Sequence, residues 1–137
     1  AAVSAMKCGL LPLSQHAGLI MPTVCIHPYQ DVTTAEDECE ALAKDIGENF
    51  AMIMENHGLL ACGRSIGECF YYLYYLETAC KIQVDVLASG QEPLLLSEKI
   101  VDGLFTDGDV PKNEPSGAED WKPQLLLLDR NMPGYRD

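Results

Sequence analysis

The sequence predicts a mixed α/β domain, and three observations carry that prediction. Two capped stretches, from Thr34 to Gly47 and from Ser65 to Ala88, repeat their apolar residues at the period of a helix. Short runs at 23–29, 50–54 and 59–62 have the composition and length of strands. Only a few residues, around His57 and Gly58, separate the last two runs, so they read as an antiparallel pair. Helices that alternate with strands in this order cover a sheet.

Taken in order, residues 1–21 begin with small residues of good helix propensity and run into "GLLPLSQHAGLIM". Pro12 and Gly18 argue against one long helix, so a short helix, a turn and a second short apolar segment are expected. "TVCIHPY" ends at a proline and reads as a strand. Thr34 caps the next helix, which carries Ala35, Cys39, Leu42, Ala43 and Ile46 on one face and acids in its first turn. Gly47 ends it. After the strand–turn–strand unit, Ser65 and Glu68 form a capping-box pattern. The helix behind it carries the stripe Ile66, Cys69, Phe70, Leu73, Leu76, Cys80, Val84 and Leu87. Tyr71, Tyr72, Tyr74 and Tyr75 widen its apolar surface, as packing in a core or against another subunit would require. Past Gly90, "LSEKIVDGLF" suits a short helix, "TDGDVPKNEPSGAED" a polar loop, and "WKPQLLLLDRNMPGYRD" a last helix with an irregular tail. The organisation expected is one domain over 1–137, with core elements in 1–90 and a C-terminal extension in 91–137.

Composition narrows the function. With 47% hydrophobic residues in 137 positions, the chain can bury a core. A formal net charge of -12 repels nucleic-acid phosphates and anionic lipid, so neither is an expected partner. No signal peptide is visible in these residues, and no uncharged apolar run is long enough to span a bilayer. None of the six cysteines is spaced C-x-x-C, and several lie in apolar runs. Reduced, buried thiols and a cytoplasmic location follow as expectations.

An ordered set of motifs resembles one family. "MIMENHGLLACGRSIGECFYYLYYLETACKIQVDVLASG" is similar to the second half of the class II aldolase/adducin fold. It has an apolar strand, Asn56-His57-Gly58, a strand ending in glycine, a capped aromatic helix and a closing Glu77-Thr78-Ala79-Cys80-Lys81-Ile82-Gln83. "AAVSAMKCGLLPLSQ" resembles an adducin-like bacterial subgroup, and "LLLLDRNMPGYRD" the C-terminal end of its bacterial members. The resemblance implies a three-layer α/β/α fold around a largely antiparallel sheet. It also implies a homotetramer that binds a divalent ion, usually Zn2+, at a subunit boundary through three histidines. His57 matches the third of these. The other two belong to a His-x-His motif just before the segment matched by Ala1-Ala2-Val3, and this chain has no His-x-His. "AAVSAMKCGLL" reads as mid-helix with no cap before it, so the expectation is an N-terminally truncated domain. The implied function is aldol cleavage, or a related epimerase or decarboxylase step, on a small sugar phosphate or hydroxy acid through a zinc-stabilised enediolate. The alternative is a non-catalytic, adducin-like binding module. Adducin-type proteins continue past this fold into a neck and tail, so the ending at "PGYRD" leans toward the enzyme.

Each candidate residue also has a plainer reading. His57 at a hairpin tip, with Gly58 allowing close approach, is a metal ligand by resemblance and a turn histidine by spacing alone. Glu55, two positions away on an extended strand, would share the face of His57 and could orient its imidazole, with Asn56 beside it; a solvated acid is the plain alternative. His16 and His27 read as surface or hydrogen-bonded histidines. A C-terminal tyrosine assists protonation in some aldolases of this family; Tyr135 is the candidate for that role here, although the motif around it departs from theirs. Arg64 and Lys81 read as solvated charges near helix ends.

Overall fold

The computed structural model describes residues 1–30, 34–107 and 117–136. Three strands form one sheet in the order β1-β2-β3: β1 (Val24–His27), β2 (Ala51–Met54) and β3 (Gly58–Ala61). β1 and β2 run parallel, with Val24 beside Ala51 and His27 beside Met54. β2 and β3 run antiparallel, with Ala51 beside Ala61 and Met54 beside Gly58. The class is α/β as the sequence predicts, and the sheet within this chain is mixed. The parallel pair requires a crossover, supplied by helix α2 (Ala35–Ile46).

Residues in register point to the same face of the sheet. Val24, Ala51 and Ile53 therefore share one face, and they pack in the main core with Val3, Ile20, Tyr72, Leu76 and Cys80. That face is covered by helix α3 (Ile66–Ala88) and by the short helix α1 (Gln15–Ile20). Cys25 and His27 point to the other face, where the His27 imidazole meets Asp45 of α2 at 2.7 Å. Two opposed helical layers around a sheet make the three-layer arrangement. Leu76 and Ile20 are fully buried, each worth roughly 1.5–3 kcal/mol of transfer free energy. Phe50 stacks on Tyr72 with ring centroids 4.8 Å apart and planes 1° from parallel, pinning α3 to the start of β2.

Helix α3 has the bounds its caps predict. Ser65 Oγ accepts from the Glu68 N–H at 3.1 Å. The return half of the box differs from expectation, because the Glu68 carboxylate accepts from the Arg64 N–H at 2.6 Å and from the Arg64 guanidinium at 2.8 Å. Arg64 is therefore the partner of a fully buried acid and not simply a solvated charge. The buried face of α3 is also rotated from the expected stripe. Tyr72, Leu76, Ala79, Cys80 and Gln83 face inward, while Ile66 is 75% exposed and Leu73 42% exposed.

The N-terminal segment departs most from its expectation. Val3–Ala5 makes one 3-10 turn, and residues 6–13 are irregular up to Ser14, whose hydroxyl caps α1. The reason lies far along the chain: Gln83, buried in α3, accepts from the Leu11 N–H at 2.7 Å and donates to the Gly9 carbonyl at 2.8 Å. These side-chain bonds satisfy a loop backbone that would otherwise favour helix. Gly18 does not break the apolar segment. It lies inside α1, where a side chain would come within 2.6 Å of Leu104 on helix α4 (Glu98–Asp107).

Helix α5 (Ala118–Asn131) seats on the first half of α3 through two glycines. A Cβ on Gly67 would lie 2.9 Å from Trp121, and one on Gly117 would lie 2.5 Å from Tyr71. Gly117 also has φ 74°, a conformation other residues adopt only at a cost. The expected polar loop at 106–120 falls largely on 108–116, outside the described residues. The expected irregular tail contains a 3-10 turn at Pro133–Arg136.

Candidate functional site

The turn that carries His57 is held from three sides. The His57 N–H donates to the Met54 carbonyl at 3.1 Å and closes a four-residue turn. The Asn56 N–H donates to the Ser4 carbonyl at 2.9 Å, and the Glu55 N–H to the His27 carbonyl at 2.9 Å. Asn56 has φ 54°, a left-handed conformation that asparagine tolerates better than most residues. The backbone is thus fixed by β1, β2 and the N-terminal turn together, while the side chains of Glu55, Asn56 and His57 are exposed. Among the described residues the His57 imidazole has no hydrogen-bond partner.

This geometry corrects two details of the expectation. Residues 55–57 form a turn, so strand alternation does not place Glu55 and His57 on one face, and the Glu55 carboxylate makes no hydrogen bond to the imidazole. Gly58 has no positive φ, and a Cβ there would meet nothing within 4 Å. Nothing packed among the described residues requires that glycine.

His27 lies one strand away, 6% exposed, with its Nδ1 engaged by Asp45. It is the hydrogen-bonded histidine that the sequence allowed. His16 rests against Tyr75, ring centroids 5.6 Å apart. Tyr135 hydrogen-bonds through its hydroxyl to Asp129 Oδ1 at 3.1 Å, at the end of α5. Tyr135 belongs to the C-terminal 3-10 turn, which packs on α5.

A catalytic zinc needs three protein ligands and an open position. Among the described residues no three His, Cys, Asp or Glu side chains gather closely enough to hold an ion. The described residues therefore do not by themselves make a metal centre, and His57 stands there as a single candidate position. The six cysteines are free, but only Cys80 is buried; Cys8, Cys39 and Cys62 are exposed, against the expectation of buried thiols. Burial pushes the Cys80 thiol up to about 11 and also raises Cys25 and Cys62, which disfavours their thiolates. No described helix is long and apolar enough to cross a membrane.

The tyrosines on α3 separate into distinct settings. Tyr72 is in the core, while Tyr71, Tyr74 and Tyr75 face α5 and line a cleft of about 360 Å3 with Phe70, Asp120, Pro123 and Gln124. From the sequence alone all four read as packing. The pairs at i and i+4, Phe70–Tyr74 and Tyr71–Tyr75, were the signal that one face of the helix is continuously aromatic.

Comparison with known proteins fits this architecture. Residues 1–84 match the family described as the class II aldolase and adducin N-terminal domain. A protein of Caulobacter vibrioides classed with the class 2 aldolases is 34% identical over 99% of this chain and 53% of its own length. Rat alpha-adducin is 46% identical over 99% of this chain and 20% of its own length. An aldolase II superfamily protein from Pseudomonas syringae superposes with a TM-score of 0.87 at 34% identity, over 99% of this chain and 55% of that one. The L-fuculose 1-phosphate aldolase of Glaciozyma antarctica shares the fold, with a TM-score of 0.73 at 19% identity over 94% of this chain and 47% of that enzyme. The chain spans about half the length of the curated bacterial relatives it matches. The class II aldolases of this family generally use a divalent metal, act on small molecules and form oligomers. With the family profile covering residues 1–84 and relatives aligning along almost the whole sequence, the chain belongs to the class II aldolase and adducin family.

Proposed function

We propose that the whole protein is a class II aldolase-type lyase acting on a small sugar phosphate or hydroxy acid, and that His57 is one of its metal ligands. The observation that carries this reading is the state of His57: an exposed imidazole with no partner among the described residues, on a backbone locked by three hydrogen bonds. A solvated turn histidine has no need of such rigidity, whereas a ligand gains affinity from it. Glu55 and Asn56 are assigned supporting roles, Asn56 through the left-handed backbone that aims the next residue. The remaining ligands come from outside this chain. The proposed ion is Zn2+, which supplies carbonyl polarisation and charge stabilisation during carbon–carbon cleavage. A homotetramer, a cytoplasmic location, a role for Tyr135 in protonation supplied across a subunit boundary, and a single domain with its core in 1–90 complete the proposal.

A second reading is favoured by one observation, the 46% identity to alpha-adducin. In that reading the fold is a binding module without metal. Metal analysis of the full-length protein separates the two. The enzyme reading expects about one divalent ion per subunit, lost in His57→Ala while the fold is retained. Purified protein without metal, or a His57→Ala variant that keeps its full metal content, refutes the assignment.

A further inference from the structure

The cleft between α3 and α5 has the construction of a cation site. Its floor is four rings on one helix in two rows. Phe70 and Tyr74 have centroids 6.0 Å apart, Tyr71 and Tyr75 4.6 Å, and Tyr74 stands nearly perpendicular to Tyr75 at 82° and 5.6 Å. The facing wall is Asp120, Pro123 and Gln124 of α5. The two walls are held at a fixed spacing by Trp121 over Gly67 and by Gly117 against Tyr71, where no larger residue fits.

The charge in this cleft is one-sided. Among the described lining residues Asp120 is the only carboxylate, and no lysine or arginine accompanies it. Its neighbour Glu119 is bound by Lys122 at 2.7 Å, whereas Asp120 takes no ion pair or hydrogen bond among the described residues. Burial pushes the Tyr71 hydroxyl up to about 12, with the Asp120 charge adding to the shift, so the phenol stays neutral in the neutral pH range. Aromatic faces present negative charge to a cation, and a nearby carboxylate supplies the counter-charge. A primary ammonium is strongly hydrated and loses much on entering such walls; a methylated one is already apolar at its surface. An anion is disfavoured by Asp120 and by the net charge of -12.

We propose that this cleft binds a small methylated ammonium ion of the choline type, seated on Phe70, Tyr71, Tyr74 and Tyr75 with Asp120 as its counter-charge. The volume of about 360 Å3 suits a small head group and little more. The site is separate from the 55–57 turn and does not depend on the metal-ligand role proposed for His57.

The chain's single tryptophan reports on it, because the Trp121 and Phe70 ring centroids are 5.3 Å apart. The experiment is a fluorescence titration of the full chain with choline and, in parallel, with its neutral isostere 3,3-dimethylbutan-1-ol. Choline is expected to give a saturable change in Trp121 emission, with the neutral isostere at least about tenfold weaker. Asp120→Asn and Tyr74→Ala are each expected to weaken choline binding by about five- to tenfold. Both residues are exposed, so the variants should fold, with unchanged circular dichroism as the check. A parallel titration with trimethyllysine tells the free cation from an amino-acid side chain carrying the same group. Equal affinity for the isostere, indifference to both substitutions, or no saturable response overturns the proposal.

Discussion

Replacing Gln83 with leucine removes the clamp that shapes the N-terminal loop while keeping the volume of the side chain. Gln83 is 0% exposed and joins positions 72 and 74 residues away, accepting at 2.7 Å and donating at 2.8 Å. Two half-buried backbone groups would lose their partners, at a cost of about 1–2 kcal/mol each, or about 2–4 kcal/mol in all. For a domain whose total stability is roughly 5–15 kcal/mol that is a large fraction. With a urea m-value of roughly 1–3 kcal/mol/M, the midpoint should fall by about 1–2 M at unchanged slope. The control on the same helix is Lys81→Ala, which breaks a 3.4 Å pair whose side chains are 70% and 47% exposed and should cost under about 0.5 kcal/mol. If Gln83→Leu moves the midpoint no further than Lys81→Ala, the loop is held by other contacts and the clamp argument fails.

Four further outcomes can be measured. Gly117→Ala forces a Cβ to 2.5 Å from Tyr71 at φ 74°, so thermal unfolding should show a loss of about 2–3 kcal/mol together with a shift in Trp121 emission. Arg64→Met leaves the Glu68 carboxylate at 0% side-chain exposure without its guanidinium, which lowers the urea midpoint; adding Glu68→Gln to the same chain should restore part of the loss. His57→Ala should change stability by less than about 0.5 kcal/mol, whereas Asn56→Ala, at φ 54°, should cost about 1 kcal/mol and Asn56→Gly almost nothing by urea titration. Burial raises the Tyr71 pKa from 10.0 to about 12, so the folded state holds this proton more tightly than the unfolded state does. Its contribution is intact below about pH 10 and lost between about 10 and 12, a decline that Tyr71→Phe should reduce in chemical denaturation across that range.

What the sequence displays is local. The caps at Thr34 and Ser65 act within three residues of themselves, and both helices begin where those caps place them. The place of the 54–58 turn is likewise set by neighbours, although the distant Ser4 and His27 carbonyls hold its backbone. What it hides is pairing at a distance. A glutamine at position 83 looks like any polar helix residue until residues 6–11 are folded under it. Glu68 has the position of a capping residue, yet its burial depends on the chain arriving from β3. Parallel pairing of β1 with β2 is equally silent, since no short turn announces it.

The same distinction governs the two sites. The candidate position His57 was legible because a motif of consecutive residues carries it, and the turn geometry adds only that its backbone is held and its imidazole has no partner among the described residues. The aromatic cleft was not legible as a cleft, because half of it belongs to a helix some 50 positions further along the sequence. Four rings on one face of α3 would serve equally well as core. They become a concave surface only because Gly67 and Gly117 let Trp121 and the start of α5 approach to one side and stop there. The choice between packing and binding was therefore made by two glycines outside the tyrosine run, neither of which carries any chemistry. Enlarging Gly67 to valine should displace Trp121 and abolish choline binding by calorimetry while retaining all four cleft rings, Phe70, Tyr71, Tyr74 and Tyr75, which tests whether spacing and not aromatic content defines the cleft.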